Sequence, residues 1–190
     1  DNGAISFNGP TTEAIAHYLK NETGTFGTNK LAFEKGTEPE REGIRLVKAS
    51  IGKKGSALDT PIKINDALEM HCEIATDDIS RNLHVGFQFL DVSGNSLFTS
   101  QTRNAERPED LTEKAGTLIF KGEIPEMLFN EGEFFVNLYV VENTTMLIAQ
   151  KNALQFVVGP MAKKIGERLG KSSGVFKTNF PWSVTVNSRE

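Results

Sequence analysis

The sequence predicts an all-β chain folded as an antiparallel β-sandwich of the immunoglobulin-like or jelly-roll kind, preceded by a short N-terminal helix and a linker. Three observations carry that expectation. Apolar residues alternate with polar ones over short runs, which is the period of a strand with one face buried. Clusters of turn-forming residues recur every ~8–12 residues, as in a two-sheet sandwich. No helical period separates the strand runs, so the βαβ alternation of a doubly wound sheet is excluded.

The chain has 190 residues, of which 38% are apolar, including 13 Phe, enough for one substantial core. It divides into three zones, residues 1–41, 42–159 and 160–190. In the first, Gly9-Pro10 followed by Thr11, Thr12 and Glu13 is a helix-start signal. Ile15, Tyr18 and Leu19 then form one apolar stripe, too short to be stable undocked. Residues 21–41 are rich in Gly, Thr, Glu and Lys and read as a linker.

The middle zone switches to a period of two. Ile44 and Leu46, then Val47, Ala49 and Ile51, open a strand that closes at the turn Lys53-Lys54-Gly55-Ser56. Ile62 and Ile64 follow, then Leu68, Met70, Cys72 and Ile74, alternating with Glu69, His71 and Glu73. The clearest alternation is Leu83, Val85, Phe87 and Phe89, interleaved with His84, Gly86 and Gln88. It ends at Asp91-Val92-Ser93-Gly94-Asn95, a hairpin signal from which Leu97 and Phe98 return. Beyond a polar loop come Leu118, Phe120 and Ile124, and then Phe134, Val136, Leu138 and Val140. A turn at Glu142-Asn143-Thr144-Thr145 leads to Met146-Leu147-Ile148, and Leu154, Phe156 and Val158 complete eight or nine short strands. The third zone holds a short amphipathic stretch and then Pro181-Trp182-Ser183-Val184-Thr185-Val186, a strand that returns after a detour. A strand on so long a connection can pair within its own subunit or exchange with a neighbour.

Composition narrows the function. A net charge of −4 from 21 basic and 25 acidic residues scattered along the chain argues against a nucleic-acid partner, which needs a concentrated basic surface. Cys72 is the single cysteine and sits in an apolar alternation, so it reads as a small buried hydrophobe. With neither an apolar run of spanning length nor a signal segment, the expected location is cytoplasmic. The phosphate-cradling and dinucleotide glycine motifs are missing, and His17, His71 and His84 lack metal-ligand spacing, so no cofactor and no metal site are expected. Glu69 and Glu73 share one face of one strand, roughly 13 Å apart, too far for paired acid–base work. No nucleophile elbow occurs, so no catalytic residues are assigned and the chain is expected not to be an enzyme.

On the two best strands the outward residues are His84 and Gln88 on one, and Phe135, Asn137 and Tyr139 on the other. Amide and imidazole groups bond sugar hydroxyls while an aromatic face packs on C–H surface, so His84, Gln88, Asn137 and Tyr139 form a candidate glycan-binding set. The same pattern also occurs on ordinary solvated sheet faces. Arg103, in the loop just beyond, is a further candidate able to reach an anionic substituent in bidentate fashion.

The run Val85-Gly86-Phe87-Gln88-Phe89-Leu90-Asp91-Val92-Ser93-Gly94-Asn95-Ser96-Leu97-Phe98 resembles a hairpin of the C-terminal domain of O-antigen exporter ATPases, the Wzt family. Residues 62–68 and 128–138 resemble further segments of that domain, and residues 7–19 are similar to the closing segment of polysaccharide-exporter ATPase domains. The resemblance extends over about residues 43–159. It implies a carbohydrate-binding module that recognises the non-reducing, modified end of O-polysaccharide and couples chain termination to export. It also implies a homodimer with an exchanged C-terminal strand, an ATPase domain upstream of Asp1, a membrane permease partner and a place at the inner face of the inner membrane. A purely structural, dimerising role without ligand stays open as the alternative.

Overall fold

The computed structural model describes residues 28–34, 36–102, 115–160 and 174–176. The helix expected at residues 11–19, Arg103, and the strand expected at residues 181–186 lie outside the described residues. Ten strands follow in chain order: β1 (Lys30–Ala32), β2 (Glu40–Arg41), β3 (Ile44–Lys53), β4 (Ile62–Lys63), β5 (Leu68–Thr76), β6 (Leu83–Leu90), β7 (Ser96–Gln101), β8 (Gly116–Ile124), β9 (Gly132–Glu142) and β10 (Thr145–Gly159). They make two five-stranded sheets. The first has the order β1-β3-β5-β8 with β2 also on β3, and the second β4-β10-β9-β6-β7. Every pair is antiparallel except β4 with β10.

The all-β sandwich read from the sequence is the fold. Its inward positions are those the alternation marks: Leu68, Met70, Cys72 and Ile74 on β5, Leu83, Val85, Phe87 and Phe89 on β6, and Phe134, Val136, Leu138 and Val140 on β9 are all buried in one cluster. Cys72 is fully enclosed, and burial pushes its thiol pKa up to about 12, so it acts as the small hydrophobe expected.

Three features differ from the expectation. The two strands anticipated around Met146 and Leu154 are one long strand, β10, broken by irregularities between Met146 and Ile148 and between Gln150 and Leu154. β1 and β2 lie in the stretch read as linker; each is too short to show a period of its own, and each exists because β3 offers it a partner. β2 returns into β3 through Glu42 and Gly43, both left-handed (φ 54° and 76°), as a two-residue hairpin loop requires. A side chain at Gly43 would also run into the Asp77 carboxylate, 2.7 Å from where its Cβ would stand.

One end of the core is built from phenylalanine. The Phe89 ring lies 4.6 Å from Phe98, 5.7 Å from Phe129 and 6.2 Å from Phe156, centroid to centroid. Residues 174–176 dock on this cluster: Phe176 bridges to Phe129 and its ring stands tilted 6.1 Å from that of Phe98, while Asn130 bonds Gly174 and Val175 through its amide and backbone N–H.

At the opposite end Arg81 ties the two sheets together. Its Nε and Nη2 donate to the two carboxylate oxygens of Glu142, at the end of β9, both at 2.8 Å. Its Nη1 donates to the backbone oxygen of Glu42, in the turn that enters β3. The bond from Arg81 is the main reason the Glu142 carboxyl is held below the usual carboxylate range.

Two outcomes follow. Phe89→Ala should cost ~3–5 kcal/mol of unfolding free energy in a urea titration, since Phe89 is fully buried and touches three other rings. Arg81→Met should lower the thermal midpoint at neutral pH. Folding favours the ionised Glu142, so that contribution is complete above the ordinary Glu range and drains away as pH falls through the depressed folded value. The gap between variant and parent should therefore narrow below about pH 4. A gap that stayed constant would mean that the ion pair does not couple to folding.

Candidate functional site

The outer faces of the two sheets differ in chemistry. The first sheet is laced with ion pairs, among them Lys48 with Glu73 at 2.9 Å, with His71 on the same carboxylate, and Lys54 with Glu123. The second sheet carries a cleft of about 290 Å³ over β6 and β9, and none of the described residues that line it is Asp, Glu, Lys or Arg.

Strand register gives the cleft three rows. At one end His84 stands beside Val141, and Val141 beside Met146. In the middle Gly86 has Gln101 on one side and Tyr139 on the other. At the far end Gln88 lies between Thr99 and Asn137. Successive rows are two residues apart on each strand, about 6.7 Å. The expected pairing of the two candidate strands is thus met: β6 and β9 are neighbours in one sheet, and His84, Gln88 and Tyr139 converge on one cleft.

The polar groups at the Gln88 end are oriented by the backbone. The irregularity in β10 leaves the Asn152 N–H without a ladder partner; Asn152 itself takes a left-handed φ of 48°. That N–H donates to Asn137 Oδ1 at 2.8 Å. Asn137 must therefore turn its NH2 outward, and it donates to Gln88 Oε1 at 2.9 Å. The Tyr139 hydroxyl donates to the same oxygen at 2.8 Å. Both acceptor sites of Gln88 Oε1 are then filled, and its Nε2 gives one hydrogen to Ser96 Oγ at 3.1 Å. Asn137 Nδ2 also donates a longer bond to the Tyr139 oxygen at 3.4 Å. What remains is complementary: a second Gln88 N–H as donor, and the other lone pair of the Tyr139 oxygen as acceptor.

Asn137 is only 9% exposed and lies beneath this pair, so it positions Gln88 and Tyr139 from below. Phe135 occupies an outward register but is 2% exposed, between Leu90 and Gln155, and does not line the cleft. His84 Nδ1 is enclosed without a partner, which leaves Nε2 as the ring atom able to meet a ligand. His71 and His84 stand on different sheets, and among the described residues no group of His, Cys, Asp and Glu gathers at metal-binding distance. Gly86, Thr99, Gln101, Val141 and Met146 complete the walls and were not anticipated. Met146 is accessible to register counting from the turn that joins β9 to β10, whereas Thr99 and Gln101 depend on the irregularity between Phe89 and Leu90.

With this geometry in place, the comparisons with known proteins agree with one another. The family model for the Wzt C-terminal domain matches residues 36–170. The fold is similar to the crystal structure of the C-terminal domain of Wzt, with a TM-score of 0.60 and 13% identical residues, over 81% of this chain and 92% of that one. No curated protein matches the chain.

Asn137→Ala should destabilise the sandwich by ~1–3 kcal/mol in denaturant unfolding, because the Asn152 N–H is left without an acceptor. A change within error would show that solvent replaces the Asn137 carbonyl at no cost.

Proposed function

The chain belongs to the Wzt C-terminal domain family, and on that premise we propose that it is a carbohydrate-binding domain of a polysaccharide ABC transporter subunit whose cleft on β6 and β9 takes glycan. The observation that carries this reading is the uncharged cleft in which the Gln88 amide and the Tyr139 hydroxyl are locked in complementary orientations. A sugar presents hydroxyls that both donate and accept, together with C–H faces. Gln88, His84, Thr99 and Gln101 suit the hydroxyls, and the Tyr139 ring, Val141 and Met146 suit the C–H surface. Asn137 supports this set from beneath, and Arg103 follows Thr102, whose backbone and hydroxyl bond to Val85.

The finer reading is that the ligand is the non-reducing, modified end of O-polysaccharide, so that recognition of a finished chain licenses export. It includes a homodimer that exchanges the strand at residues 181–186, residues 1–41 as the tail of an upstream ATPase domain plus linker, and a membrane permease as partner at the inner face of the inner membrane. No helix among the described residues is long and apolar enough to cross a bilayer.

The test is calorimetric titration of the chain with O-polysaccharides of several serotypes, each with and without its terminal modification. Binding of one capped glycan, weakened at least ~10-fold by Tyr139→Ala or Gln88→Ala without loss of fold, supports chain-end recognition. Unchanged affinity in both variants would move the site to another face. No binding to any glycan would leave the domain a structural, dimerising role.

A further inference from the structure

The centre of the cleft is a residue with no side chain, and nothing among the described residues requires that. Gly86 lies inside β6 with no positive φ, so its backbone is open to any residue. A Cβ built there would come no closer than 3.8 Å to Gln101 Cγ and Tyr139 Cδ2, and 3.9 Å to Thr99 Cγ2, all ordinary contacts. Glycine weakens a strand interior, since it loses more backbone freedom on folding and packs nothing. The retained glycine therefore calls for another reason, and the three atoms nearest its missing Cβ supply one. All belong to cleft walls, so the absent side chain is the cleft floor.

We propose that Gly86 is a specificity-determining residue whose missing side chain admits a single uncharged sugar ring to the floor of the cleft, between Tyr139 and Gln101, with His84 and Gln88 at its two ends. This rests on the glycan reading of the cleft and deepens it. The dimensions fit one ring: four residues of strand, ~13 Å, separate the Cα atoms of His84 and Gln88, and two strand spacings, ~9.6 Å, separate Tyr139 from Gln101 before their side chains narrow the gap. The volume of about 290 Å³ stands at the small end of ligand pockets (~300–1,000 Å³). A neutral ring suits the described lining, which offers an anionic sugar no cation; Arg103 lies outside the described residues, and the uronides in the test below decide whether it serves this cleft. A Cβ at position 86 would enter the space that the ring occupies, while making only ordinary contacts with its neighbours.

The experiment is an ¹⁵N–¹H NMR titration of the chain with methyl pyranosides of neutral hexoses and deoxyhexoses, and with the corresponding methyl uronides. The expected result is that neutral pyranosides shift the Gly86 and Tyr139 amides, that uronides bind more weakly, and that Gly86→Ala weakens binding at least ~10-fold with an unfolding midpoint no lower than the parent's. Gly86→Val should abolish binding; where that variant does not fold, the Ala variant decides. If the parent binds and Tyr139→Ala weakens it while Gly86→Ala binds as the parent does, or if uronides bind best, this inference falls and the glycan reading stands. If the parent binds no pyranoside and no polysaccharide, the glycan reading falls and takes this inference with it.

Discussion

The period of two along a strand is the constraint on which both core and cleft depend. On β6, Leu83, Val85, Phe87 and Phe89 point into the sandwich, so His84, Gly86 and Gln88 are committed to the outer face. On β9 the same rule buries Phe134, Val136, Leu138 and Val140 and turns Tyr139 and Val141 outward. A slip of β6 by one residue against β9 would carry His84 and Gln88 into the core. Hydrophobic burial thus fixes the position of each cleft residue, although none of those residues contributes much to it. Phe89 is the clearest case, since the ring that fills the core end stands on the same strand as Gln88 and sets its register.

Register places the groups but does not orient them, and that task falls to a defect. A perfect β9–β10 ladder would have consumed the Asn152 N–H; the irregularity frees it, and Asn137 answers it from within the sheet. From that bond the directions of Asn137, Gln88 and Tyr139 follow in turn, because an amide has one acceptor end and one donor end. A backbone N–H cannot reverse its polarity, so the network has one arrangement. Its position beneath the cleft, away from water, strengthens each bond in the chain. The cost of a broken ladder is offset by a site whose donor and acceptor are set before any ligand arrives.

How much of this was legible in the sequence varies with the kind of information each feature needs. The sandwich was legible because the alternations at Leu68–Ile74 and Leu83–Phe89 are local, and burial acts on each residue separately. The convergence of His84, Gln88 and Tyr139 was legible once two outward-facing runs were taken to share a sheet. β1 and β2 were not, because a strand of two or three residues has no period to detect and exists only through its partner. The role of Asn137 was hidden for a different reason: its polar outward position read as a ligand contact, and only the irregularity on a different strand shows that its carbonyl is spoken for. Gly86 was visible throughout as a glycine in a strand, but its meaning needs the distances around its missing side chain.

The contrast between the two outer faces then bears on what the cleft can discriminate. On the first sheet Lys48 and Lys54 are paired with Glu73 and Glu123, so these charges have little left to offer a ligand beyond a screened field. In the cleft on the second sheet the groups of the described lining are neutral and directional, and they stand on strands whose opposite faces are packed into the core. Neutral hydrogen bonds gain little net free energy over those made to water, so affinity for any single hydroxyl pattern is modest. Selectivity is another matter. A ligand that fills the floor but mismatches the fixed Gln88 donor or the Tyr139 acceptor buries those groups unpaired, and that penalty exceeds the gain from a correct bond. On the glycan reading proposed above, a cleft built this way would reject wrong rings more strongly than it holds right ones.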